Sequence, residues 1–168
     1  MKIRLIGLVV LVMAAIQAAP AQEVKPSSIV QALEERGFKK CGVDLDRWVK
    51  WVHKDDSRHA YLNIWNTTAP DQRTAMALTS QTAGDVNSVT TFTASPDVSG
   101  KCSVSFSQVW SFSDSCTVMR DEVFKAWVFI RALGPSAMYE EKDNKMLTVL
   151  LTPAHTGGCL VLKTGMVY

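Results

Sequence analysis

A long alternating stretch between Lys101 and Asp114 is the clearest pattern in the chain. Its sequence is KCSVSFSQVWSFSD, in which apolar residues and serines take alternate positions. The apolar parity holds Cys102, Val104, Phe106, Trp110 and Phe112, with Gln108 as its polar interruption. The other parity holds Ser103, Ser105, Ser107, Ser111 and Ser113, with Val109 as its apolar exception. Because successive side chains of a strand point to opposite faces, the pattern predicts a long half-buried strand with a solvated serine face.

Further runs of β-branched, aromatic or hydroxyl residues between turn signals predict additional strands. These runs are His59–Thr67, Arg73–Thr82, Ser88–Ala94, Ser136–Lys142, Lys145–Thr152 and Cys159–Val167. The segment Asp44–Lys54 is ambiguous, since its apolar residues would also suit one face of a short helix. Its β-branched and aromatic content, followed by the turn residues Asp55–Arg58, favours the first strand of a hairpin.

Two segments have helical spacing. Ser28–Arg36 ends at Gly37, a residue typical of a helix C-cap. Thr117–Leu133 carries an apolar stripe that Gly134-Pro135 would end. The order of elements predicts an α+β fold, an antiparallel sheet of about 6–8 strands with two helices packed on one face, in the order α-β(4-5)-α-β(2-3).

The N-terminal 21 residues have the organisation of a secretory signal peptide. A basic start is followed by the apolar run Leu5–Ile16 and by the small residues Ala19-Pro20-Ala21. The apolar run is shorter than the ~20 residues that a membrane-spanning helix needs. We therefore expect signal cleavage after residue 21, one α+β domain over residues 22–168, and a periplasmic or secreted location.

The charge balance changes when the predicted signal is removed. The whole chain has 18 Lys+Arg and 16 Asp+Glu, but Lys2 and Arg4 leave with the signal and no acidic residue does. A neutral mature chain lacks the basic footprint of proteins that bind nucleic acid or anionic membranes. We therefore expect no nucleic-acid partner, and no membrane insertion after signal cleavage.

The four cysteines all follow the predicted signal. They are Cys41, Cys102, Cys116 and Cys159. An even number in an exported chain predicts two disulfides. A straight strand from Cys102 to Phe112 would be roughly 33 Å long and would separate Cys102 from Cys116, whereas a disulfide needs Cα atoms within about 7 Å. The favoured pairs are Cys102–Cys159, which begin strands at one edge of a simple up-and-down sheet, and Cys41–Cys116.

Two clusters could carry chemistry. Cys159 with His155 would make a nucleophilic dyad if the thiol were free, as in a small cysteine hydrolase. His53 and His59, with Asp55 and Asp56, could hold zinc or copper in a metal-binding periplasmic protein. Disulfide formation opposes the first interpretation, and no known ligand spacing supports the second. We predict no catalytic, cofactor-binding or metal-binding residue, and no cofactor.

The tryptophans suggest a binding surface instead. Trp110 and Trp127 belong to predicted core stripes, whereas Trp48, Trp51 and Trp65 lie in the predicted first hairpin, where exposed aromatic rings would mark a contact surface. Nucleotide-binding loops and hydrolase motifs are absent from the sequence. We therefore predict an exported, disulfide-stabilised, non-catalytic protein that binds another protein, as an accessory, inhibitor or immunity-type factor.

Overall fold

A computed structural model describes residues 27–54, 59–83, 86–155 and 157–167. The predicted signal peptide, residues 1–21, lies outside the described residues. The elements are α1 (Ser28–Glu34), α2 (Gly42–His53), β1 (His59–Ile64), β2 (Ala75–Ala83), β3 (Val86–Pro96), β4 (Cys102–Phe112), α3 (Cys116–Val118), β5 (Trp127–Leu133), β6 (Ser136–Glu141), β7 (Leu147–Pro153) and β8 (Cys159–Val167). A short 3-10 turn, Pro70–Gln72, precedes β2, and a π-helical turn, Met119–Val123, follows α3.

All eight strands form one antiparallel sheet with the order β1-β2-β3-β4-β8-β7-β6-β5. The sheet therefore consists of two four-stranded meanders, β1–β4 and β5–β8, which join where β4 pairs with β8. Helical segments precede each meander along the chain. The predicted antiparallel sheet of an α+β protein is confirmed in these broad terms, although the protein is mainly β. The predicted order of elements differs in its last part, since four strands, not two or three, follow the second helical segment.

The molecule has two halves, each made of one meander and the helical segment before it, and each half contains one disulfide. Cys41, at the start of α2, is bonded to Cys102, at the start of β4. Cys116, at the start of α3, is bonded to Cys159, at the start of β8. Each bond thus ties the helical segment of one half to the last strand of the same half. Two disulfides suggest an oxidising, extracytoplasmic environment.

The predicted pairs Cys102–Cys159 and Cys41–Cys116 are wrong. The error lies in the assumed sheet order, because β8 returns to pair antiparallel with β4. Phe112 at the end of β4 lies opposite Cys159, so Cys102 lies at the far end of the same strand. Two residues at opposite ends of neighbouring strands cannot meet the distance limit of a disulfide.

The predicted helix over Thr117–Leu133 is wrong in its second half. Helical structure covers only Cys116–Val123, and Trp127–Leu133 forms the edge strand β5. The sequence WVFIRAL is rich in β-branched and aromatic side chains and pairs with β6. Gly134, with φ +60°, begins a two-residue hairpin turn, in which the first central residue requires positive φ. Gly134-Pro135 therefore joins two strands instead of ending a helix.

The hairpin strand predicted over Asp44–Lys54 is also wrong, because this segment forms α2. Leu45, Val49 and His53 are buried at helical intervals of four residues, so one stripe of α2 faces the sheet. The β-branched and aromatic content that favoured a strand packs in a helix as well. The predicted strand His59–Thr67 exists but ends at Ile64.

The core lies on one face of the sheet. One buried cluster joins α1 and α2 to the first meander, around Phe38, Phe92 and Phe106. The second cluster joins Met119 of the π-helical turn to the second meander. Trp127 packs against both clusters. Within the described part of the chain, no helix packs on the opposite face. None of the described helices is long and apolar enough to cross a membrane.

Candidate functional site

A cleft opens on the helical face, over the middle of the sheet. Its volume is about 550 Å³, and its lining residues come from the C-terminal end of α2 and from β2, β3, β4 and β8. Trp51 and His53 of α2, Gln108 and Trp110 of β4, and Lys163 of β8 are among them. The cleft therefore spans the join between β4 and β8, where the two meanders meet.

The floor of the cleft lies at the end of a row of polar side chains that crosses the helical face of the sheet. Thr79, Thr90, Gln108 and Lys163 lie directly opposite one another on β2, β3, β4 and β8. The first three are buried. Burying a polar group costs free energy unless it is hydrogen-bonded, so a polar row inside an apolar core needs a structural or functional reason.

His53 supplies that reason at one end of the row. Its Nδ1 donates a hydrogen bond to Oε1 of Gln81 at 3.0 Å, and its Nε2 lies 3.0 Å from the Thr79 hydroxyl oxygen. The His53 ring also stacks on His59, with centroids 4.7 Å apart. These contacts anchor the C-terminal turn of α2 to β1 and β2. The role of His53 in this arrangement is structural.

Lys163 occupies the other end of the row. Its ammonium nitrogen lies 4.4 Å from the centroid of the Trp51 ring and 5.5 Å from that of Trp127, within cation–π distance of both. Burial lowers the pKa of Lys163, an effect that the charge of Lys54 reinforces and that Glu141 opposes. No ion pair among the described residues includes Lys163. The cleft thus holds a half-buried cation near two aromatic rings.

Two further polar side chains face the cleft. Gln108 and Ser88 are each only 6% exposed, and both line the cleft. Among the described residues, no hydrogen bond engages the Gln108 amide or the Ser88 hydroxyl. Both groups are therefore available as hydrogen-bond donors or acceptors to a molecule in the cleft.

The opposite face of the sheet, which we call the open face, is a second candidate surface. One row of directly opposed residues runs Ala60, Ser80, Val89, Val109, Leu162, Leu150, Met138, Arg131. The next row runs Leu62, Leu78, Thr91, Ser107, Thr164, Thr148, Glu140, Val128, and a third runs Ile64, Met76, Thr93, Ser105, Met166.

The composition of the open face is unusual for a surface exposed to solvent. Every side chain in its three rows is exposed or half-buried, and Leu62 retains 58% exposure. The first row is apolar except for Ser80 and Arg131, four neighbouring hydroxyl groups occupy the middle of the second row, and only Arg131 and Glu140 carry charge in the three rows. A shallow apolar depression of about 290 Å³ lies where β1, β2 and β3 meet, around Leu62, Leu78 and Val89.

The predicted tryptophan surface is distributed over the helical side of the molecule. Trp48 and Trp51 contact each other edge to face, with centroids 5.4 Å apart, and both rings lie against Phe106. Trp51 is 45% exposed at the cleft, whereas Trp48 and Trp65 are half-buried against the core. Trp65 lies beneath the guanidinium of Arg36.

The cysteine hydrolase interpretation is wrong. Cys159 is bonded to Cys116, and none of the described cysteines is free, so no thiolate is available as a nucleophile. His155 is an exposed loop residue. A disulfide that ties α3 to β8 is the structural role of Cys159.

The described residues also give the metal interpretation no support. Both ring nitrogens of His53 already lie at hydrogen-bond distance from side chains of β2. No group of three or more potential ligands occurs in the part of the chain that the structure describes. Asp55 and Asp56 lie outside the described residues.

Sequence reasoning named Trp51, which lines the cleft, but predicted neither the cleft itself nor a binding role for the serine face of β4. Two interruptions of one pattern pointed to these surfaces. Gln108 is the polar exception on the inner parity of β4 and lies in the floor of the cleft. Val109 is the apolar exception on the serine parity and lies in the first row of the open face. Each exception marks a place where one face of β4 differs in polarity from the rest of that face.

The fold and the two surfaces define a disulfide-bonded, mainly β protein with one helix-covered sheet face and one open face. No family model matches the chain, and no significant match exists among curated proteins or solved structures.

Proposed function

We propose that this is an exported protein, released from a signal peptide, which acts by binding another protein through the open face of its sheet. The observation that supports the proposal is the composition of that face. Its three rows combine exposed apolar side chains with hydroxyl groups and contain two charged residues, Arg131 and Glu140. An accessory, inhibitor or immunity-type factor would use such a face.

The chemistry of the open face is that of an interface core. Protein interfaces are depleted of charged residues at their centre and use apolar side chains for burial. Contiguous exposed apolar patches on soluble proteins mark sites of interaction. The apolar centre of the open face includes Val89, Val109 and Leu162, which lie opposite one another on three neighbouring strands. Hydroxyl groups of the next row would supply hydrogen bonds around it.

The scaffold suits recognition because its backbone is already fixed. The open face lies on one eight-stranded sheet, and a disulfide in each half holds the helical segment against the last strand. A surface that is ordered before binding loses less conformational entropy on association. Trp51 lies on the helical side and would contact a molecule in the cleft instead of a partner on the open face, while Trp48 and Trp65 would contribute less because they pack against the core.

Site-specific photocrosslinking in the organism that makes the protein tests the proposal. A photoreactive residue replaces Val109 or Leu162 on the open face, and Val43, which is 75% exposed on α2, serves as the control position. We expect one shared partner at both open-face positions and no crosslink to it from Val43. Crosslinks from Val43 alone, or none from the open face, would contradict the proposal.

A further inference from the structure

We infer that the cleft between α2 and the centre of the sheet binds a singly charged carboxylate that is attached to an aromatic body. Lys163 pairs with the carboxylate, Gln108 and Ser88 hydrogen-bond to it, and Trp51 packs against the aromatic body. This site lies on the helical side of the sheet, so the inference does not depend on the open face.

The charge of the lining selects an anion. Lys54 and Lys163 line the cleft, and none of the described residues that line it is acidic. Glu141 acts on Lys163 through its charge but forms no ion pair with it. A half-buried cation without an ion-pair partner is partly desolvated, and an anionic ligand would offset the cost of that desolvation.

The number of cationic groups favours a carboxylate over a phosphate. Of the two cations among the described lining residues, Lys163 is half-buried and Lys54 is exposed. Phosphate sites in proteins combine several positive groups or backbone N–H donors at a helix N-terminus. Here the C-terminal end of α2, which carries the negative end of the helix dipole, borders the cleft. A single negative charge therefore fits the site better than a double one.

The donors around Lys163 are placed for a carboxylate oxygen. Gln108 lies directly opposite Lys163 across the β4–β8 pair, so the amide and the ammonium approach the cleft side by side. The Ser88 hydroxyl enters from β3, on the far side of β4. The Gln108 amide and the Ser88 hydroxyl have no hydrogen-bond partner among the described residues, and both line the same cleft as Lys163. A carboxylate can accept hydrogen bonds at both oxygens and would satisfy them together.

The walls of the cleft favour an aromatic body. Trp51, Trp110 and Phe112 all line it, and Trp51 keeps 45% of its surface exposed. Aromatic rings pair favourably in stacked or edge-to-face arrangements. The volume of about 550 Å³ lies within the usual range of small-ligand sites. Contacts with the Trp51 and Trp127 rings hold the Lys163 ammonium in place before a ligand arrives.

The same ligand chemistry has two sources. It occurs in free aromatic carboxylic acids and at the C-terminus of a peptide that ends in an aromatic residue. Calorimetric titration of the disulfide-intact protein distinguishes them, with indole-3-acetate as the small probe and Gly-Gly-Trp as the peptide probe. Indole-3-acetamide and the peptide's C-terminal amide are the matched neutral controls.

We expect at least one of the two acids to bind, and its neutral amide to bind about tenfold or more weakly. Lys163→Met should weaken binding of the acid to a similar degree, whereas Lys163→Arg should retain most of it. Lys145→Met, at an exposed position in the β6–β7 turn, should leave it unchanged. Thermal unfolding of each variant shows that the protein remains folded.

The outcomes are distinct. Binding of Gly-Gly-Trp that depends on its free carboxylate assigns the cleft to a peptide C-terminus, and binding of indole-3-acetate alone assigns it to a free acid. Equal binding of acid and amide would overturn the inference. So would undiminished binding by folded Lys163→Met, or the absence of binding by both acids at millimolar concentrations.

Discussion

Gln108 of β4 and Lys163 of β8 lie directly opposite each other where the two meanders of the sheet join. Buried apolar clusters fill the helical face on either side of this pair. Trp127, which contacts both clusters, lies near the Lys163 ammonium. The two halves of the molecule therefore meet around a polar pair, and the cleft opens at that place. The side chain of Lys163 therefore affects both the stability of the protein and the binding of a ligand in the cleft.

Replacing Lys163 by methionine should stabilise the protein. Methionine keeps an apolar stem of similar length and removes the half-buried charge whose partial desolvation lowers the pKa of Lys163. Binding sites commonly cost stability, and relieving about 1 kcal/mol would raise the melting temperature by about 2–4 °C. Scanning calorimetry at pH 7 measures this, with Lys145→Met as the exposed control. A lower melting temperature in Lys163→Met would show that the cation–π contacts outweigh the desolvation.

The same side chain should give stability a defined pH dependence. Because the pKa of Lys163 is lower in the folded protein than in the unfolded chain, the unfolded chain binds more protons between the two values. The contribution of Lys163 to the free energy of unfolding should therefore rise with pH through that alkaline interval and stay constant below it. Urea unfolding from pH 7 to pH 10 should show a rise in the wild type that is smaller in Lys163→Met. Identical slopes would argue against a lowered pKa.

Removal of the His53 side chain should be costly. His53→Ala leaves the buried Thr79 hydroxyl without its imidazole partner and removes the ring N–H that donates to Oε1 of Gln81. An unsatisfied buried polar group costs about 1–3 kcal/mol, and the lost packing adds to it. Urea unfolding should show this decrease, while His155→Ala, in an exposed loop, should stay within about 0.5 kcal/mol of the wild type. Equal free energies of unfolding for the two variants would show that the His53 contacts do not stabilise the protein.

Gly165 should tolerate no larger side chain. A Cβ atom built on it would lie 2.5 Å from Cε1 of Phe106 and 2.6 Å from Cδ2 of Leu147, both of which are buried. Overpacking of this kind costs about 1–3 kcal/mol. Gly165→Ala should lower the free energy of unfolding by that amount. Ser107→Ala, on the open face of the neighbouring strand, is the control and should change it little.

The disulfides give a chemical test of the topology. Peptide mapping of the unreduced protein should recover Cys41 linked to Cys102 and Cys116 linked to Cys159. No thiol should be alkylated before reduction. Removing either bond by paired serine substitutions should cost about 2–5 kcal/mol of stability. A recovered Cys102–Cys159 peptide would contradict the pairing of β4 with β8.

The strands with clear alternation could be predicted from the sequence. Cys102–Phe112 is a strand over the predicted range, because its alternation and flanking turn residues fix both its type and its ends. Cys159–Val167 is also a strand over its predicted range, although apolar residues stand on both of its parities. The region after Cys116 could not be predicted in the same way. The apolar spacing of Trp127–Leu133 fits a helix, and only pairing with β6 selects a strand. Tertiary contacts decide such segments.

The disulfide pairs and the cleft required the order of strands, which local patterns do not contain. Gln108 and Lys163 are 55 positions apart and come together through the register of β4 and β8. Each is visible in the sequence as a polar residue within an apolar parity. The sequence contains no internal repeat that would indicate two similar halves. The pairing of β4 with β8 therefore had to come from the structure.

The most direct test of the proposed function is a titration of the crosslinked partner, purified, against the wild type and two single-site variants. Val109→Glu places a charge in the middle of the open face, and Val43→Glu places the same charge on an exposed position of α2. We expect a binary complex that Val109→Glu weakens by about tenfold or more and that Val43→Glu leaves unchanged. Equal affinities of wild type and a folded Val109→Glu would contradict binding through the open face.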